Sequence, residues 1–194
     1  MTAITDPPPQ TDKRRTDHVP GRYHSSQRGL HWLVAVLVVM QFLTGGQMEA
    51  AFALRDVQPL GIAGITWVHG TFGLSILAAM LGRAWLRARY GAPPPPETEP
   101  KPLQMLSRGV HFAFYGLLIG MPIFGLLAVW TYSDAVATAH GWAGYLLFAL
   151  ALLHLAGALW HAFKRDGVAT RMLGRDPAEK DMTPTDEEPI PEPQ

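Results

Sequence analysis

Charge falls along this chain in blocks, and four stretches between the blocks contain no Asp, Glu, Lys or Arg: residues 29–48, 57–82, 109–133 and 135–163. A hydrocarbon core of about 30 Å needs roughly 20 apolar residues as a helix. Each stretch meets that length. The pattern predicts an all-α membrane protein, a four-transmembrane-helix bundle with spans near 29–48, 60–82, 109–131 and 137–163 inside one domain, 23–175. The tails, 1–22 and 176–194, are rich in Pro and charge and cannot bury enough apolar area to order themselves, so both are expected to be disordered. The first apolar run begins only at Gly29 and is of spanning length, so it is expected to be a retained span and not a cleaved signal peptide. The proline run 93–96 predicts an extended spacer between the second and third spans, and Pro122 predicts a kink in the third.

Orientation follows from the basic residues, which are held back from translocation and collect in cytoplasmic loops. Lys13, Arg14, Arg15, Arg22 and Arg28 precede the first span. Arg83, Arg87, Arg89, Lys101 and Arg108 separate the second from the third, and Lys164, Arg165, Arg171, Arg175 and Lys180 follow the fourth. Arg55 alone among the sixteen falls on the other side. Both termini and the middle connection are therefore expected in the cytoplasm. A net charge of zero excludes a generally basic nucleic-acid binder, and the absence of cysteine excludes disulfides, iron–sulfur ligation and covalent haem attachment.

Six of the eight histidines lie in the apolar stretches: His31, His69, His111, His140, His154 and His161. Intramembrane titratable groups are costly, so several together point to function, although any single one can be an interhelical hydrogen bond. His140 and His154 are fourteen residues apart, which on a helix puts them within roughly 40° of one face and about 21 Å apart in depth. In an up-and-down bundle His69 shares the outer level with His140, while His31 shares the inner level with His154. Two histidines from different helices at one depth suit bis-imidazole ligation of a flat macrocycle, and non-covalent haem b is the cofactor that fits.

A short repeat, HGTFG at 69–73 and HGWAG at 140–144, sets glycines one and four residues after each outer histidine, where they would let a porphyrin near the backbone or serve plain helix contact. Gly157 and Ala158 could do the same near His154. His161 competes with His154 for the inner role, but a separation of about 31 Å from His140 would carry it into the headgroups. His161 reads equally as part of an inner redox or proton-transfer site and as a polar anchor. His111 reads as interfacial or hydrogen-bonded. Arg28, Arg83 and Arg87 sit where they could meet haem propionates, yet each also obeys the positive-inside rule without any haem.

The segments RGLHWL, MEAAF, WVHGTFG, RAWLRARYGAPPP, GVHFAFYGLLIGMPIFGL and AHGWAGYLLFALALLHLAGALWHAF resemble the bacterial cytochrome b561 family from about Tyr23 to Arg175. The resemblance implies an inner-membrane cytochrome with two haems b and axial ligands at His31, His69, His140 and His154. It further implies electron transfer between an outer-side donor, superoxide in some relatives, and ubiquinone as acceptor. The third and fourth spans are joined by a short connection, about 131–139, where some relatives carry a longer outer loop. Lipid, quinone and a redox partner protein are the partners this implies. Two other readings stay open: a haem-carrying subunit serving a separate dehydrogenase or periplasmic partner, and a haem-free transporter relaying protons through its histidines.

Overall fold

The structure is a computed structural model that describes residues 23–61, 64–92 and 99–174; the two tails and the proline run 93–96 lie outside them. Among the described residues there are four long helices and a short fifth: α1 (Ser25–Ala53), α2 (Gly64–Tyr90), α3 (Lys101–Thr131), α4 (Asp134–Lys164) and α5 (Thr170–Leu173). The four long ones have the length and apolar character to cross a membrane. With no water in a bilayer to satisfy the backbone, a spanning segment must close its own hydrogen bonds, so helix persists through glycines that would weaken it in water. That same demand carries α3 unbroken through Pro122.

Helix runs past several ends of the charge-free stretches, taking in Arg28 at the start of α1, Lys101 and Arg108 at the start of α3, and Arg87 and Arg89 at the end of α2. Long basic side chains reach toward water while the backbone stays helical. The turn between α3 and α4 is tighter than expected: only Tyr132, in the left-handed region at φ 52°, and Ser133 lie outside the helices. The Ser133 side chain accepts from the Val136 N–H at 3.4 Å, and Asp134 in the first turn complements the positive end of the α4 dipole.

Consecutive helices pack closely, α1 on α2, α2 on α3 and α3 on α4. The core between them holds Val34, Ile76, Ala79, Met80, Leu118 and Leu147. Large apolar side chains elsewhere point outward, with Phe112, Trp130 and Phe163 all more than 80 % exposed, as a lipid-facing surface requires. Toward α1 and α2, α4 presents rings instead: Phe42 and Phe148 meet edge to face at 5.4 Å, between the two histidine levels.

Each end of the bundle has its own ties. At the hairpin end, where α1 turns into α2 and α3 into α4, Phe52, Leu60 and Ala128 pack together. There Arg55 bonds Asp134 at 2.7 Å with its guanidinium over the Phe52 ring. At the opposite, tail end the buried Gln27 donates to the carbonyls of Leu86 and Gly91, and Trp32 Nε1 donates to the Met172 carbonyl, fastening α5 to α1.

Candidate functional site

The structure brings the four candidate histidines together in two pairs on the two levels expected. At the hairpin end His69 of α2 faces His140 of α4 with ring centroids 6.3 Å apart. At the tail end His31 of α1 faces His154 of α4 at 6.2 Å. Imidazole–metal bonds of about 2 Å, with about 1.2 Å from ring nitrogen to ring centre, put the centroids of a bis-imidazole pair roughly 6.4 Å apart. Both pairs stand at that separation. Among the described residues no group of three or more His, Cys, Asp or Glu is placed to hold a metal ion. A metal on either pair would therefore need further ligands beyond these side chains, and a planar macrocycle is one source of them.

At the hairpin-end pair the hydrogen bonds select which nitrogen keeps a lone pair for a metal. His140 Nδ1 lies 3.0 Å from the Met121 carbonyl, which can only accept, so Nδ1 carries the proton and Nε2 keeps its lone pair. His69 Nδ1 lies 3.0 Å from Thr44 Oγ1, whose own proton goes to the Met40 carbonyl at 2.8 Å. Thr44 must then accept from His69 Nδ1–H, and again Nε2 is left free. Such outer partners are what orient a ligating imidazole.

Sequence reading missed Thr44, Met121 and Gly125, and all three act on this pair. A Cβ at Gly125 would lie 3.1 Å from Cε1 of His140, so the bare backbone there is what lets the ring seat against α3. The glycines that the repeat singled out behave differently from one another. Gly70 and Gly141, like Gly157, have open space where a Cβ would go, Gly144 makes ordinary contact with Met121, and a Cβ at Gly73 would lie 3.0 Å from Gln41 Nε2. Gly73 thus serves the α1–α2 contact, and the open positions beside the histidines are the ones compatible with a planar group.

The tail-end pair is more crowded. The ring of His111 comes within 5.5 Å of His154 and that of Phe114 within 5.4 Å. His111 is both exposed and hydrogen-bonded, its Nδ1 donating to the Ser107 carbonyl at 2.6 Å. Its centroid stands closer to His154 than a shared metal requires, whereas His31 stands at the matching distance. His161 is engaged elsewhere: Nδ1 meets Asp166 Oδ2 at 2.7 Å and Nε2 meets Glu99 Oε1 at 3.3 Å. Burial raises the Asp166 pKa, but the hydrogen bonds from His161 and the Val168 N–H, with the charges of His161 and Lys164, outweigh it and hold the carboxyl below its usual range.

The basic candidates separate as well. Arg28 packs its guanidinium against Gly174, and Arg87 lines an open groove of about 520 Å³ with Ala84, Ala88, Phe112 and Tyr115. Arg83 alone of the three exerts its charge on the rings of His31 and His154.

Residues 22–175 match the family described as prokaryotic cytochrome b561. The chain is 32 % identical over 158 residues to cytochrome b562 of Cereibacter sphaeroides, covering 79 % of this chain and 96 % of that protein. It is 34 % identical over 109 residues to a probable superoxide oxidase, CybB, of Yersinia pestis, covering 54 % of this chain and 56 % of that one. The family match takes in every helix that carries a paired histidine, and the chain therefore belongs to the prokaryotic cytochrome b561 family, as a multi-pass membrane cytochrome that binds haem b and serves electron transport.

Proposed function

We propose that this cytochrome carries two haems b, one between His69 and His140 and one between His31 and His154, and passes electrons across the bacterial inner membrane to or from the quinone pool. The observation that carries this reading is the pair of imidazole separations, 6.3 and 6.2 Å, at two levels of one helix. Haem iron supplies reversible one-electron chemistry, with a potential tuned by axial ligands, burial and nearby charge. The chain's own part is to hold each pair of imidazoles at this separation, to fix the tautomer at the hairpin-end pair through Met121 and Thr44, and to keep the site within apolar helices. The basic residues support a topology with both termini cytoplasmic, which makes the hairpin end the outer one.

Superoxide is the outer donor suggested by the name of the Yersinia relative. Arg55, the single basic residue at that end, is already paired with Asp134 at 2.7 Å and offers little free attraction for an anion. This favours keeping a second reading of the donor, in which a separate dehydrogenase or periplasmic protein delivers electrons to, or takes them from, a haem-carrying subunit. Family membership leaves the haem-free relay without support.

The test is a haem count. Detergent-purified protein should give two haems b per chain by pyridine haemochrome and a reduced-minus-oxidised b-type spectrum. His154→Ala should lose one of them and His161→Ala neither. One haem in the parent, or loss on His161→Ala with retention on His154→Ala, would overturn the assignment.

A further inference from the structure

Arg83 has a feature that the helix bundle does not explain. It follows Gly82, where a Cβ would lie 3.4 Å from Leu30 Cδ1, so α1 and α2 touch just beside His31 and Arg83 is held at the level of the tail-end pair. Its positive charge acts on both rings of that pair. Yet its Nη1 is buried without a hydrogen-bond partner, and among the described residues no carboxylate forms an ion pair with it. A guanidinium does not lose its charge in proteins, so the burial is not relieved by deprotonation. A buried N–H with nothing to donate to is a cost that folded proteins rarely leave standing.

We propose that Arg83 anchors an oxyanion at the tail-end site, a propionate carboxylate of the haem held between His31 and His154, so that the unpartnered Nη1 finds its acceptor when the cofactor is bound. The assignment rests on the two-haem reading above. Haem b is neutral at its rim except for two propionates, and a carboxylate placed among apolar helices needs a charged, directional partner of the kind a guanidinium fork provides. Neither of the other candidate arginines is so placed. Arg28 is pressed against Gly174, and Arg87, one turn further along α2, faces an open groove. A lipid phosphate offers the same oxyanion chemistry, and the experiment separates the two sources.

Redox titration and haem affinity would be measured on the parent, Arg83→Gln and Arg83→Lys, each loaded with haem b and, by exchange, with haem whose propionates are methyl esters. The parent should bind the ester at the tail-end site at least tenfold more weakly than haem b. Arg83→Gln should bind both equally, at the weaker level, with the midpoint potential of that haem shifted negative because a nearby positive charge favours the reduced form. Arg83→Lys, which keeps the charge, should retain the haem and recover part of the difference. Equal penalties for the ester in the parent and in Arg83→Gln would overturn the proposal. So would a parent indifferent to esterification but sensitive to added anionic phospholipid, which would give Nη1 to a headgroup. Loss of the tail-end haem in both variants would also overturn it, by making Arg83 a structural residue. A parent with fewer than two haems would instead fail the reading on which the proposal rests.

Discussion

A single missing side chain on α3 decides how His140 sits. With Cε1 of its ring 3.1 Å from where a Gly125 Cβ would be, the neighbour that must give way in Gly125→Ala is the His140 ring itself. Overpacking of this kind costs about 1–3 kcal/mol. Here we expect it to be met by rotation of the ring away from Met121, so Gly125→Ala should weaken or abolish the haem at the His69–His140 site and leave the other, which a haem count with redox titration would read. Thr44→Val keeps shape but removes the acceptor for His69 Nδ1–H. Loss of such an orienting partner typically lowers affinity about 10–100-fold, and a haem titration of Thr44→Val should fall in that range, with Thr44→Ser close to the parent. The four paired histidines were legible in the sequence because depth and helical phase are arithmetic on residue number. Thr44, Met121 and Gly125 were not, because their partners lie 25, 19 and 15 residues away on other helices, and which faces meet depends on helix rotation that the apolar pattern of a membrane span does not encode.

The existence and order of the four helices could be read directly from missing charge, since only apolar segments of this length are compatible with a bilayer. Their ends could not, because a helix continues into the interface as long as its backbone can bond to itself. α1 and α3 accordingly start four and eight residues before the charge-free stretches do, and α4 begins at Asp134, not near 137. The turn after α4 is another feature the pattern could not give. Arg165 ends the helix in the left-handed region at φ 55°, Asp166 turns back to His161, and α5 reaches Trp32 of α1 through Met172. The Asp166 pKa is depressed, so its contribution to holding this turn is fully present above the unfolded carboxylate range and is lost as pH falls through the lower folded value. Hydrogen–deuterium exchange of residues 165–173 should therefore rise, relative to the intrinsic rate, as pH is lowered through the acid range. Asp166→Asn should exchange faster than the parent at neutral pH and show a flatter dependence. A parent whose protection is indifferent to pH would assign the turn to Trp32 and backbone bonds alone.

At the scale of the whole molecule, α4 is the common wall of both sites, with α1 supplying the partner at one level and α2 at the other. That division has a consequence for function. His140 and His154 are about 21 Å apart along one helix, too far for direct contact, so substitutions at the two levels should act independently on haem content. The proposed transport across the membrane, however, would need both levels in series. Between them the Phe42–Phe148 contact and the Ile76, Met80 and Leu147 core are apolar and closely packed, with Gln41 a polar exception beside Gly73, and packing of this kind shields redox groups from water without itself carrying charge. Reconstituted in vesicles with a reductant confined to the hairpin side and a quinone or dye acceptor on the tail side, the parent should pass electrons through the bilayer. His140→Ala should keep the tail-end haem, reducible by dithionite added to that side, and yet transmit nothing. His154→Ala should keep a hairpin-end haem that is reduced by the outer donor and then stalls. If either variant transmitted at the rate of the parent, the electrons would be crossing by one haem alone, and the arrangement of two histidine pairs on α4 would need a purpose other than a transmembrane relay.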